Sequence, residues 1–168
     1  MELTDTDETQ TAVAQALALL QGFLDAAELD TRAAVESHEG ELVTLAITGP
    51  DSSLLVGVQG VSLNALQYLM QLVMNKNREV RLRVTLDADR YRMRRNQTLV
   101  KFAHELAAQV METGEEAVTE ALNPMDRRII HTALAGDPAI QTYSEGEEPN
   151  RYVVIAVRPE PESDAPKA

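Results

Sequence analysis

The 168-residue sequence contains no cysteine and no tryptophan, and its aromatic content is 4%, from two phenylalanines and four tyrosines. Without cysteine there is neither a disulfide framework nor a thiolate metal site. Three histidines occur, His38, His104 and His131, far apart and in no metal-ligand spacing, so the sequence predicts no metal and no cofactor. Nucleophile elbows, Walker loops and His-Glu-x-x-His helices are also missing, which argues against an enzyme. No apolar run approaches the roughly 18 residues of a membrane span. The opening MELTDTDETQ is acidic and lacks the basic and apolar regions of a secretory signal. A soluble, cytoplasmic protein with no membrane partner is expected.

The residues present fit one ordinary domain or two small ones, with 44% apolar and 25% charged residues. The formal charge of −12 opposes a polyanionic ligand at long range, but it is unevenly spread. Nine of the fifteen basic residues fall between Lys76 and Lys101, opposed there by Glu79, Asp87 and Asp89.

The apolar spacing of Val13, Ala16, Leu17, Leu20 and Leu24 predicts a helix over residues 9–28. Two strands over 32–37 and 42–48, with the turn signal Glu39-Gly40 between them, predict a hairpin. Gly49-Pro50-Asp51-Ser52 ends it, and Asp51 or Ser52 is expected to cap a single helical turn. After a turn from Gly57 to Gly60, a helix over 62–75 is apolar on most of its circumference and is expected to be largely buried, Tyr68 included. Strict alternation in EVRLRVTL predicts a strand over 79–86 with Val80, Leu82, Val84 and Leu86 inward and Arg81 and Arg83 outward. The order is α-β-β-α-α-β.

A second unit begins near Asp87-Ala88-Asp89. A helix over 90–113 carries Leu99, Phe102, Leu106 and Val110 on one stripe, and Asn123-Pro124-Met125-Asp126 is a strong start for the next helix. Strands over 140–143 and 152–158 follow, joined by an acidic loop. The fold class is therefore α+β. It comprises a disordered acidic stretch over 1–8, a first domain over 9–87, a small α/β domain over 88–158 and a disordered tail over 159–168.

Three constellations carry function. Glycines let a backbone approach a ligand closely, and a turn feeding a helix N-terminus presents free N–H groups to a phosphate. The Gly57-Val58-Gln59-Gly60 turn, joining two helices after a hairpin, has this form. With that element order it resembles the bacterial type of KH domain, whose Gly-x-x-Gly loop clamps the backbone of about four nucleotides.

GPDSSLLVGVQGVSLNALQYLMQLVMNKN is similar to the KH segment of the bacterial Jag family, which pairs a KH domain with a C-terminal domain named for an Arg-x-x-x-His element. In that family the two inner turn residues are often basic or polar. Here Val58 and Gln59 place no charge in the turn.

The second constellation is Arg127 and His131, four residues apart on a helix and so on one face; Met125, Ile129 and Ala133 project roughly opposite, which places His131 on the rim. NPMDRRIIHTAL followed by SEGEEPNRYVVI is very similar to the Arg-x-x-x-His domain, and the resemblance assigns these two residues its naming positions. Arg128, Arg151 and Arg158 add phosphate contacts on this reading, and Glu145, Glu147 and Glu148 order the loop or pair with arginines. The third is Arg90, Arg92, Arg94 and Arg95, read either as pairing with Asp87, Asp89 and nearby acids or as a phosphate-tracking strip between the two domains. Few aromatics leave few stacking platforms, Tyr91 and Tyr143 being the better exposed, so base readout is expected to be modest.

The resemblance covers residues 10–158; the separate N-terminal domain of many members has no counterpart in it. It implies a non-enzymatic protein that binds single-stranded RNA and acts in post-transcriptional regulation, linked in some bacteria to cell elongation and division. It also implies pairing with a small separate KH protein, and KH surfaces can self-associate. Two further readings stand beside it: a protein-interaction scaffold, supported by the uncharged turn and apolar Val58, and single-stranded DNA binding through the C-terminal domain.

Overall fold

The computed structural model describes residues 5–76 and 81–159, which divide after Met93 into two compact units. In the first, the elements are α1 (Asp5–Ala26), β1 (Arg32–Glu39), β2 (Leu42–Thr48), α2 (Ser52–Val56), a 3-10 turn (Val58–Gly60), α3 (Val61–Asn75) and β3 (Arg83–Ala88), in the expected α-β-β-α-α-β order. The sheet order is β1-β2-β3, with β1 antiparallel to β2 and β2 parallel to β3. A parallel pair needs a crossover, and α2 with α3 supplies it. Val43, Leu45 and Ile47 alternate onto one face of β2, where Leu20 and Leu24 of α1, Leu63 and Met70 of α3, and Leu86 of β3 close over them.

Three local expectations change. α1 begins at Asp5, inside the stretch whose composition reads as disordered. Asp51 makes no capping bond; its carboxylate accepts the Asp30 N–H at 2.8 Å, and Ser52 Oγ donates to the Gly49 carbonyl at 2.7 Å. Finally, α3 buries Leu63, Leu66, Met70 and Met74, but Val61, Leu69, Leu72 and Val73 are exposed, and Tyr68 is 64% exposed rather than in the core. A helix lying on one face of a three-stranded sheet has a neighbouring layer on one side, so the rest of its apolar circumference stays outside. Residues 79 and 80, read as the start of the last strand, lie outside the described residues.

A polar seam joins α3 to β3. Gln67 Oε1 accepts the Leu86 N–H at 3.0 Å, Gln71 Oε1 accepts the Val84 N–H at 2.8 Å, and Asn75 Oδ1 accepts the Leu82 N–H at 2.9 Å. Asn75 Nδ2 returns a bond to the Leu82 carbonyl at 2.8 Å, shared with Gln71 Nε2. The match is geometric: four helical residues rise about 6 Å and two strand residues about 6.6 Å, so every fourth side chain of α3 meets every second N–H of β3. As β3 is an edge strand, the seam occupies backbone groups that would otherwise invite another strand.

α4 (Tyr91–Thr113) leads into the second unit, followed by β4 (Ala117–Val118), α5 (Pro124–Leu134), β5 (Ile140–Glu145) and β6 (Tyr152–Val157). The helix starts after Arg90, whose φ of 57° is not helical. Asp87 Oδ1 accepts the Arg92 N–H at 3.2 Å, as expected for a start near that residue. The Asn123 side chain caps α5, accepting from Met125 and Asp126 N–H at 3.0 and 2.9 Å, with Pro124 in the first turn. The sheet is antiparallel, in the order β4-β6-β5. Sequence alone misses β4, since two residues have no readable period. Leu99, Ala103 and Val110 of α4, Ile130 and Leu134 of α5, and Val153 and Ile155 of β6 form the core, with Leu106 packed against it and Phe102 half-buried. Residues 160–168, the greater part of the tail read as disordered, lie outside the described residues.

Candidate nucleic-acid interface

The turn in the first unit is built by its glycines. Gly57 has φ 66° and ψ −174°, and a Cβ there would lie 2.2 Å from Ser62 Oγ. Gly60 has φ 78°, and a Cβ would lie 2.8 Å from the Tyr91 ring. Side chains are therefore disfavoured at both positions, by the positive φ of the turn and by Ser62 and Tyr91 beside it. Between them, Gln59 is half-buried at φ 51° and Val58 is 81% exposed. Gly60 caps α3 without a side-chain bond, and the first turn holds no acidic residue. The positive end of the helix dipole thus carries no carboxylate of its own.

The basic stretch divides on folding. Lys76, Arg81 and Arg83 line an open hollow of about 800 Å³ with Glu41, Gln71 and Asn75. Arg92 turns inward, donating to the Leu86 carbonyl at 2.8 Å, Asn64 Oδ1 at 3.1 Å and Gln67 Oε1 at 2.8 Å. Arg90 is exposed beside Glu36, Asp87 and Asp89 around a hollow of about 330 Å³. In the second unit Arg94 is exposed, and Arg95 is paired with buried Asp126 at 2.8 Å. The reading of this group as pairing with nearby acids holds for Arg95 on Asp126, whereas the Arg92 partners named above are a carbonyl and two side-chain amides.

The Arg-x-x-x-His face is tied to β5 and its loop. Arg127 is 7% exposed; Nη1 donates to the Leu122 carbonyl at 2.6 Å and Nη2 to Glu148 Oε1 at 2.6 Å. This answers the expectation that a loop glutamate pairs with an arginine. One turn later, half-buried His131 bonds through Nδ1 to Thr142 Oγ1 at 2.7 Å and through Nε2 to Ser144 Oγ at 2.9 Å. Burial, reinforced by the positive charges of Arg127 and Arg151, holds its pKa below the usual histidine value. Neutral imidazole has one donor and one acceptor nitrogen, so it accepts a hydrogen bond from one hydroxyl and donates one to the other.

Arg151 Nη2 lies 3.5 Å from the Ser144 carbonyl, and its buried Nε has no partner among the described residues. Arg128 is exposed. The structure thus brings the Arg127 and Arg151 charges close enough to act on His131 and leaves Arg128 on the surface.

The two faces of α5 are opposed as projected, with His131 half-buried at the rim, and it is the Arg127 face that turns inward. The buried positions are Asp126, Arg127, Ile130 and Leu134, whereas Met125 is exposed and Ile129 and Ala133 are half-buried. The charged face turns inward because Arg95, the Leu122 carbonyl and Glu148 satisfy it there. Thr142 and Ser144 were not singled out from the sequence. Strand alternation places them on one face, but nothing in the sequence says that His131 crosses to it.

Two family models match this chain: the KhpA/KhpB KH domain over residues 14–86 and the Arg-x-x-x-His domain over residues 97–156. RNA-binding protein KhpB of Clostridium symbiosum is 38% identical over 151 residues, which cover 89% of this chain and 68% of that relative. The chain belongs to the KhpB family.

The Jag resemblance read from its two motifs points to that same KhpB/Jag family. The protein of the same name from Bacillus subtilis is 42% identical over 112 residues, 66% of this chain and 54% of the relative. That from Lactiplantibacillus plantarum is 38% identical over 115 residues, 68% of this chain and 36% of the relative. The matched segment thus spans between about a third and two thirds of these KhpB proteins. Arg92, Arg94 and Arg95 fall between the two matched regions.

Proposed function

We propose that this chain is a non-enzymatic, cytoplasmic protein that binds single-stranded RNA and acts after transcription, with a role in cell elongation or division as the family resemblance implies. The observation that carries the reading is the succession on one chain of a KH domain and an Arg-x-x-x-His domain, shared with relatives that bear the name RNA-binding protein. The Gly57, Val58, Gln59 and Gly60 backbone positions a strand through the uncapped start of α3. Arg90, Arg94, Arg128, His131 and Arg151 supply contacts to phosphate and sugar, and Arg127, being buried, serves by holding the Glu148 loop in place.

A second reading, pairing with a small KH protein or with another copy, is favoured by the exposed apolar face of α3 at Val61, Tyr68, Leu69, Leu72 and Val73. No helix among the described residues is long and apolar enough to cross a membrane.

Fluorescence-anisotropy titration of RNA and DNA oligonucleotides at two salt concentrations tests the proposal. RNA binding should weaken with salt by about 0.7 in logarithmic slope per neutralised phosphate, and replacing Arg128 and Arg151 with Ala should reduce that slope. Absence of RNA binding at low salt overturns the reading. Equal affinity for DNA favours the single-stranded DNA alternative. A Leu69→Asp variant that changes only the associated mass favours the scaffold.

A further inference from the structure

Within the second unit, α4 and the segment leading to α5 enclose a hollow of about 330 Å³. Buried Leu99 and Leu122 form its floor, and half-buried Phe102 forms one wall. Its rim carries Lys101, Glu105 and Glu120, all exposed. Arg95 closes one side, anchored through Nε and Nη2 to Asp126, the residue that precedes Arg127. This hollow was not legible as a site in the sequence, where Phe102 reads as part of the helix's apolar stripe.

The lining selects a chemistry. A flat apolar body suits Phe102 and the leucine floor, and the volume lies at the small end of ligand pockets, which run from about 300 to 1,000 Å³. Carboxylates only accept hydrogen bonds, so the exposed Glu105 and Glu120 on the rim suit a body with N–H donors on its edge. Lys101 calls for a negative charge beside it. Its contact with Glu105, at 3.6 Å between side chains 80% and 62% exposed, is a weak surface pair that leaves the ammonium free to turn.

We propose that this hollow holds one base of a single-stranded RNA, stacked on Phe102, its amine-bearing edge donating to Glu105 or Glu120 and an adjoining phosphate paired with Lys101. The proposal rests on the RNA-binding reading and adds to it a base preference: guanine, whose Watson–Crick edge presents adjacent N–H donors, is favoured over uracil, whose edge is mostly carbonyl oxygen.

The test uses the full chain. In a methyl-resolved NMR titration, guanosine monophosphate should shift the Leu99 and Leu122 methyls and uridine monophosphate should shift them much less. In parallel, Phe102→Leu, which retains an apolar filler, should weaken binding of a guanine-containing RNA by about fivefold or more, the lower end of what a stacked base contributes. Glu105→Gln, at an exposed position, should reduce the preference for guanine.

If the native chain binds RNA while the nucleotides leave both methyls unmoved and Phe102→Leu binds as before, the base site is overturned and the RNA reading stands. An equal response to the two nucleotides overturns the assignment of the carboxylates. If the native chain binds no RNA, the RNA reading falls and this proposal with it.

Discussion

Both units lay a helix against an edge strand, and they secure it with opposite chemistry. In the first, α3 holds β3 through the uncharged amides of Gln67, Gln71 and Asn75. In the second, α5 holds β5 and its loop through a histidine and a guanidinium: His131 on Thr142 and Ser144, Arg127 on Glu148. Amides do not titrate, whereas a histidine does, and burial together with two arginines holds the pKa of this one below the usual histidine value. The first unit therefore presents a chemically fixed backbone turn, while the second contains a histidine whose hydrogen bonds to Thr142 and Ser144 depend on its protonation. The Gly57 to Gly60 turn carries no charged side chain, whereas the second unit holds the Arg95–Asp126 and Arg127–Glu148 pairs.

The contrast can be broken from either side. The largest effect is expected from replacing Gln67, Gln71 and Asn75 together with Ala, which removes about 3 kcal/mol at roughly 1 kcal/mol for each of the three backbone N–H groups left without an acceptor. It also uncovers the β3 edge, so the variant should self-associate. Chemical denaturation and light scattering measure the two consequences, and a monomer of unchanged stability would show that the seam is incidental.

Arg127→Met should cost the second unit about 2 kcal/mol by leaving the Leu122 carbonyl and Glu148 without their donor. Hydrogen exchange resolved by residue should show faster opening in β5, β6 and α5 and no change in β1, β2 and β3. A uniform change across both units would remove the proposed separation.

The smallest effect is in pH. His131 binds its proton less tightly when folded than in the unfolded chain, where it titrates near 6.5. Its contribution to stability is complete above that value and lost as pH falls through the lowered folded one. Melting between pH 7.5 and 5 should show this loss in the native chain, and it should shrink in a His131→Gln variant. An unaltered pH profile in the variant would place the sensitivity elsewhere.

Much of the chain's architecture was legible as pattern. Period-two alternation located β2 and predicted that Val84 and Leu86 face inward, and Asn123-Pro124 located the start of α5, because these signals are local to a few residues. The glycines of the 57–60 turn and the Arg127, His131 spacing were equally local, which is why the family could be recognised from them.

What was misread or could not be read depended on neighbours distant in sequence. Tyr68 and half of α3 looked like core because an apolar residue does not record how many layers surround it. The burial of Arg127 was not legible because one of its partners, Glu148, lies 21 residues away. The Gln67, Gln71, Asn75 seam was visible only as three polar residues on an apolar helix, until the antiparallel run of β3 alongside gave them donors and acceptors.

The sequence by itself determined the element order, the two-unit plan and the turn that needs glycine, since these follow from periodicity and backbone sterics. The tertiary structure decided which charges remain available to a ligand. That choice rests on buried carbonyls and carboxylates that must be satisfied, and Arg92, Arg95 and Arg127 were drawn inward to satisfy them.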